Sequence, residues 1–555
     1  MIIDARSLPN GHSIDADICI VGAGTAGLTV ANEFVNQSYR VCLIESGGMK
    51  PDRQTQSLYK GKNIGHPYYR LDTSRSRYFG GSTNRWDIAV GGDDCSRARM
   101  RPFDPIDFEC RDWVPHSGWP FDRAHLDPYY DRAQERCRIA PPGFGVEDWS
   151  DPQNTPPIRF HGDRASTVIF KFGSKYPFIR DHAGEITSAA NISTYLHANV
   201  IEIEMAESAG TVRRLRVACL DGKRHWVSAR HFILATGAIE IPRLLLASRA
   251  VCHAGVGNGH DLVGRYFMEH IHFSLGVFVP ATPVVFNAMG LYANIHHVND
   301  VPIKGKVCPT EAVLRQEQLL NLVVEFIPSI ALATRLDNFL YPRIQSTSFE
   351  SLKVLVSAMR RSRLPDQVGQ HLSRVVSGID SLSVDIYRNL KKRARRMFCK
   401  KRIQYFELEN MSEQSPNPDS RVVLGQERDE LGMPRANLDW QVNRSDLDSA
   451  KRCLGILDEA FRRGGLGKIL VDLDEHTPPE RFIGGWHHMG TTRMHNDPKQ
   501  GVVDRNCRVH GIDNLFIAGP SVFPTGGYAN PSLTIVALSL RLADHLKKIC
   551  GSALS

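Results

Sequence analysis

The sequence predicts an α/β fold built on a buried parallel sheet, with a second sheet elsewhere in the chain. Three observations carry that expectation. A glycine-rich turn joins an apolar strand to a helix near the amino end, a second buried strand ends in a turn at Gly237, and strand-like runs recur through residues 276–328 and 403–440.

Asp17–Val21 reads as a short apolar strand running into Gly22-Ala23-Gly24-Thr25-Ala26-Gly27. Leu28, Ala31, Phe34 and Val35 fall on one face of the helix that follows, and Arg40–Ile44 is the next strand, closed by Glu45. This is the pattern of a dinucleotide-binding βαβ unit. Gly22 permits the tight turn, Gly24 lets backbone approach a pyrophosphate, and Gly27 lets helix and strand pack closely. The start of the helix offers free N–H groups and partial positive charge to phosphates. Glu45 stands about 20 residues downstream, where a carboxylate accepts from ribose hydroxyls.

Tyr78-Phe79-Gly80-Gly81-Ser82-Thr83-Asn84-Arg85-Trp86 is a loop whose glycines admit a flat ligand and whose polar residues offer hydrogen bonds. A turn at Ser117-Gly118-Trp119-Pro120 leads to a helix around Tyr129-Tyr130, and residues 141–160 read as loop. Strands are expected at Ile192–Tyr195, Val200–Glu204, Val212–Ala218 and Trp226–Ser228. His231–Ala235 is a buried strand that extends the nucleotide-binding sheet, followed by a helix at Ile241–Ala247. Residues 347–400 read as a helical arm, with Val368, Leu372, Val375, Ile379, Leu382 and Ile386 forming a heptad-like seam. The arm is read as packed on its own domain; a homo-oligomer contact, an anionic surface or an acidic partner are the other readings.

Length and composition narrow the class. A chain of 555 residues exceeds one compact core, and 42% hydrophobic with 23% charged residues is ordinary for a soluble enzyme. No run of about 18 apolar residues suggests a membrane span. Twelve scattered cysteines without a C-x-x-C pair argue for reduced thiols, a cytoplasmic location and no metal site. The net charge of +8 is accounted for by the nine Lys/Arg of Arg388–Arg402, without which the chain would be near neutral, and no nucleic-acid-binding module accompanies that cluster.

The chemistry concentrates near the carboxyl end. His487 and Asn530 each lie in a Gly-rich, weakly charged stretch, Gly485–Met494 and Pro524–Pro531. Oxidising an alcohol by hydride transfer requires a base for the hydroxyl proton, and imidazole suits it. A second polar group must fix the hydroxyl so that its C–H points at the acceptor. Blander readings stand beside this one. Either His487 or His488 is an interior histidine with satisfied hydrogen bonds, His488 more readily than His487. Asn530, followed by Pro531, is a helix N-cap.

Together these motifs resemble the glucose–methanol–choline (GMC) oxidoreductases, on the branch with pyranose oxidase and bacterial sugar dehydrogenases. The resemblance rests on the glycine motif with Glu45, Gly80-Gly81-Ser82, Leu234–Arg243, Leu262-Val263-Gly264-Arg265, Pro416–Val422, His487-x-x-Gly490-Thr491 and Asn530-Pro531-x-x-Thr534. It implies a Rossmann-like FAD-binding domain of the GMC/p-hydroxybenzoate hydroxylase type, at 1–98, 187–275 and 483–555. It also implies an α+β substrate domain on an antiparallel sheet, at 99–186 and 276–482, including the arm. His487 and Asn530 match the catalytic pair, the base and the group that orients the hydroxyl for hydride transfer to flavin N5. Gly22, Gly24, Gly27, Glu45, Gly81, Ser82, Asn84, Val200, Ala235, Gly519, Asn530 and Thr534 match cofactor-binding positions, and Asp513 falls near the flavin in the last motif. In pyranose oxidase-like members a histidine just before the loop tryptophan bonds covalently to FAD. Arg85 occupies that place, so FAD is expected to be held non-covalently. Gly519 replaces a usual Asp and leaves only a backbone contact. The substrate is expected to be a sugar, glycoside or other polyol, with oxygen, a quinone or a redox protein as electron acceptor. A hydroxynitrile-type flavin lyase, a nicotinamide dehydrogenase and a non-catalytic FAD module are the alternatives.

Overall fold

The computed structural model describes residues 1–552 except 91–95, 142, 150–155, 283–284, 286–288, 330–368, 370–404 and 472–481. The expected helical arm at 347–400, with its apolar seam and basic cluster, lies outside the described residues apart from the helical Gly369.

One sheet has eight strands. Ile2–Asp4, Ile192–Leu196, Val41–Ile44, Ser13–Val21 and Arg224–Leu234 run parallel in that spatial order, and Leu515–Ile517 adds a parallel neighbour to Arg224–Leu234. Val212–Ala218 and Asn199–Met205 complete it as an antiparallel flap. The central strands are buried on both faces, as parallel strands covered by helices must be, and this explains the unbroken Ile18-Cys19-Ile20-Val21 run. The runs expected separately at Trp226–Ser228 and His231–Ala235 form one strand, Arg224–Leu234. The helix after the glycine turn spans only Thr25–Asn32, so Phe34 and Val35 lie in tight turns beyond its end, although Phe34 remains fully buried. Helix Ser532–Ser552 packs on Thr25–Asn32 and on helix Arg123–Arg136.

Among the described residues the second sheet has nine strands, all antiparallel. Its main order is Gly467–Val471, Ile271–Pro280, Tyr405–Ser412, Leu322–Ser329, Val301–Pro309, Ala165–Ser174 and Arg97–Met100. Helix Arg444–Arg463 has Asn443 and Asp446 as its capping box and buries Cys453, Leu454, Leu457 and Phe461 among this sheet's apolar residues. Two strands of this sheet cross the boundaries expected from sequence: Arg97–Met100 spans the one after 98, and Ile271–Pro280 the one after 275. The short strand Ile483–Gly484 pairs with Ile271–Pro280. The chain therefore leaves the second sheet at Gly484, just ahead of the histidine motif.

Candidate active site

The glycine motif has two kinds of glycine. Gly22 has φ +106°, and a Cβ there would lie 2.7 Å from the Ala235 carbonyl oxygen. A Cβ on Gly27 would lie 1.9 Å from the Gly22 carbonyl, so helix and strand meet only if the position is bare. Gly24 differs: its φ is −88°, and a Cβ would meet no protein atom within 4 Å. Nothing inside the chain requires that glycine. Its backbone borders open space at the start of a helix with no side-chain cap, which is the room a pyrophosphate needs. Glu45 is buried at the end of its strand, its carboxylate held by the N–H groups of Ala23 at 2.9 Å and Gly47 at 2.8 Å. Ala198 donates to the Glu45 carbonyl, which brings the backbone leading to Val200 beside that carboxylate. These features fit an ADP moiety.

Gly80 and Gly81 have φ of +89° and +52°, and Gly80 N–H donates to the Ala23 carbonyl, so the loop lies directly over the glycine turn. Asn84 spends its amide on the carbonyls of Phe79 and Gly81, and Ser82 Oγ accepts from Ser76 N–H. Arg85 donates to Ser76 Oγ and to the carbonyls of Thr73 and Arg75, so the residue at the expected attachment position serves to tie the loop together. Gly519 has φ +119°, and a Cβ there would meet only Ala26, at 3.8 Å. The buried Thr534 hydroxyl is taken up by Tyr130, at 2.8 Å, which leaves its backbone for any cofactor contact. Asp513 is a correction. Its side chain is 80% exposed and it precedes the strand Leu515–Ile517, whereas Gly519 follows that strand. It therefore sits at the wrong end of a parallel sheet, whose ligands bind beyond the carboxyl ends of the strands.

His487 and Asn530 meet: Asn530 Nδ2 lies 3.1 Å from His487 Nε2, across 43 residues of chain. Asn530 Oδ1 is buried without a protein partner, so the carboxamide does not cap the helix that starts at Ser532. The histidine is presented by a bulge. Pairing runs from Ile271–Gly484 to Met268–Met489, so three steps on one strand face five on the other. Trp486 takes φ +59° in the excess, and the Glu269 carboxylate receives the N–H groups left over, Gly485 at 3.0 Å and His487 at 2.8 Å. Burial raises Glu269 to about 7, against the hydrogen bonds from Tyr68 and these two amides. Tyr68 donates to Glu269 and lies 2.8 Å from His488 Nε2, so His488 points into an interior polar cluster away from Asn530. Burial, then the charges of Arg75 and Arg85, hold His488 down at about 3.

Behind His487 stands His270, with Nδ1 to Nδ1 at 2.8 Å, and His270 Nε2 lies 3.1 Å from the Gly526 carbonyl. Burial keeps His270 at about 4 and His487 well below its ordinary 6.5, the latter helped by His270, His272, His488 and Lys306. Tyr68, Glu269 and His270 escape sequence reading. The one local sign of Glu269 and His270 is that Glu269, His270 and His272 are polar where an otherwise apolar strand opens. At the outer side, Trp486 is 50% exposed and stacks on Tyr69 with ring centroids 4.7 Å apart. The site residues thus comprise a half-buried neutral imidazole beside a carboxamide with an open acceptor, together with a cradle for a dinucleotide. That is the equipment of a flavin-dependent alcohol oxidoreductase.

Residues 416–539 match the family model described as GMC oxidoreductase. It is 26% identical to 6'''-hydroxyparomomycin C oxidase of Streptomyces lividus, over 96% of this chain and 92% of that one. It is 23% identical to the fructose dehydrogenase large subunit of Gluconobacter japonicus, over 97% and 98%. Among solved structures, a formate oxidase superposes with a TM-score of 0.52 at 16% identity, covering 98% of this chain and 99% of the other, which attests the shared fold.

Proposed function

We propose that this chain binds FAD non-covalently and oxidises a CH–OH group of a sugar, glycoside or polyol to a carbonyl. The carrying observation is the approach of His487 Nε2 to Asn530 Nδ2 at 3.1 Å, both side chains being half-buried. Two groups that close can both reach one hydroxyl.

Gly22, Gly24 and Glu45 would hold the ADP half, and the backbone of Gly81 and Gly519 would face the flavin. When bound, FAD supplies the acceptor for the hydride that leaves the carbinol carbon. The chain's own residues handle the hydroxyl. His487 Nε2 takes the proton, while Asn530 fixes the oxygen by donating its Nδ2–H to it, so that the C–H is aimed away from the histidine. Taking away one proton and one hydride leaves the carbonyl. Burial keeps His487 neutral and hence able to accept a proton at ordinary pH. Glu269 fixes the histidine's backbone rather than its ring. Trp486, resting on Tyr69, offers an aromatic face one residue from the base, which suits the C–H face of a pyranose. Relatives named for the oxidation of 6'''-hydroxyparomomycin C and of fructose support this substrate class.

The test is anaerobic mixing of the yellow holoenzyme with a panel of sugars, glycosides and simple alcohols, followed by air. Bleaching by a polyol supports the reading, and recovery of colour in air identifies oxygen as an acceptor. A flavin that no alcohol bleaches argues for the lyase or the non-catalytic alternative.

A further inference from the structure

The hydrogen-bond polarity around His487 can be followed from a fixed end. The Gly526 carbonyl only accepts, so His270 Nε2, 3.1 Å away, carries a proton and donates it. His270 is buried and neutral, so its other nitrogen, Nδ1, is bare. That bare nitrogen lies 2.8 Å from His487 Nδ1, and two bare nitrogens do not approach so closely, so His487 Nδ1 carries the hydrogen between them. A neutral His487 protonated at Nδ1 is bare at Nε2, the nitrogen facing Asn530 Nδ2–H.

We propose that His270 is a positioning residue: it reads the Gly526 carbonyl and imposes on His487 the one neutral tautomer in which Nε2 is a base. The inference rests on the function proposed above and deepens it. Most side chains that orient a catalytic histidine accept from it as carboxylates or carbonyls and hold one polarity by themselves. A histidine holds either polarity, so here the choice is made one bond further back, at the Gly526 carbonyl. The second face of His270 packs edge-on to His487, with ring centroids 4.8 Å apart at 76°, which fixes the angle as well as the proton. Without an acceptor at Nδ1, His487 is free to carry its proton on Nε2, and Asn530 can turn its Oδ1, now unpartnered, to receive it. That arrangement is well hydrogen-bonded and has no base.

The charged or titratable groups around the pair are His272, His488 and Lys306 toward His487, His272 and Glu413 toward His270, and Glu269, raised to about 7, whose carboxyl receives the His487 backbone N–H. Among the described residues no carboxylate hydrogen-bonds to either imidazole ring, so a change of the wild-type rate near pH 7 would report Glu269 and not the imidazole pair.

Two measurements on the holoenzyme decide the matter. In ¹⁵N-histidine NMR, with His487→Ala used for assignment, His487 should show a protonated Nδ1 and a bare Nε2, and His270 the reverse; a protonated Nε2 on His487 overturns the proposal. In anaerobic stopped-flow, His270→Leu should lower the flavin-reduction rate on the order of 10²-fold with KM nearly unchanged. His270→Asn places Oδ1 where Nδ1 stood and should recover the rate to within about tenfold of wild type. Equal rates for His270→Leu and wild type, or for the two variants, overturn it. The NMR result stands if His270→Leu does not fold. A wild-type flavin that no alcohol bleaches sinks the proposed function and leaves the tautomer measurement to judge this inference separately.

Discussion

Glu269 makes the bulge that presents His487 testable by pH. Its carboxyl is fully buried and raised to about 7 from an ordinary 4.5, chiefly by loss of solvent. Between those values the unfolded chain has released the proton that the folded chain keeps. The folded chain then binds more protons, so stability falls as pH rises through this window and is fully restored below 4.5. At roughly 1.4 kcal/mol per pH unit the cost reaches about 3 kcal/mol above pH 7. Glu269→Gln removes the titration while its carbonyl still accepts from Gly485 and His487, so its stability should be flatter with pH and should exceed the wild type's above pH 7. Glu269→Ala orphans both N–H groups, at roughly 1–3 kcal/mol each, and should destabilise by about 2–6 kcal/mol while slowing flavin reduction. Urea unfolding of the three proteins at pH 5 and pH 7.5 provides the comparison. A Glu269→Gln protein with the same pH slope as wild type would refute the reasoning, as would a Glu269→Ala protein of wild-type stability.

Three further outcomes are expected. Gly24→Ala should fold with an unchanged apo melting temperature but bind FAD weakly, because its Cβ meets only open space, whereas Gly27→Ala should not fold stably, because its Cβ strikes the Gly22 carbonyl at 1.9 Å; apo melting curves and FAD titration separate the two. Acid or urea denaturation should release all the yellow chromophore into a filtrate, since Arg85 stands where pyranose oxidase-like proteins carry their attachment histidine and is spent on Ser76, Thr73 and Arg75. Trp486→Ala should raise KM for a pyranose about tenfold and leave the limiting flavin-reduction rate within about twofold, as a stacking surface beside the reaction would; an unchanged KM counts against the aromatic platform.

The parallel sheet was legible because its signals are local. Gly22, Gly27 and the apolar run Ile18–Val21 each declare a turn, a close contact or a buried strand within a few residues. His487 and Asn530 were legible through motif spacing, although their meeting is a tertiary fact. Glu269 and His270 were not legible. Their roles arise from pairing across 217 residues, and from a two-residue bulge that no periodicity announces. Asp513 went astray for a related reason: motif proximity places it beside Gly519, but a three-residue strand carries the chain from one end of the sheet to the other between them.

The central claim is that the bare Nε2 of His487 removes the hydroxyl proton. Anaerobic flavin reduction by the substrate, compared between wild type and His487→Ala with FAD still bound, tests it most directly. A fall of roughly 10²–10⁴-fold in the limiting rate at unchanged flavin content is the result expected of a lost general base; a limiting rate equal to that of the wild type contradicts the account.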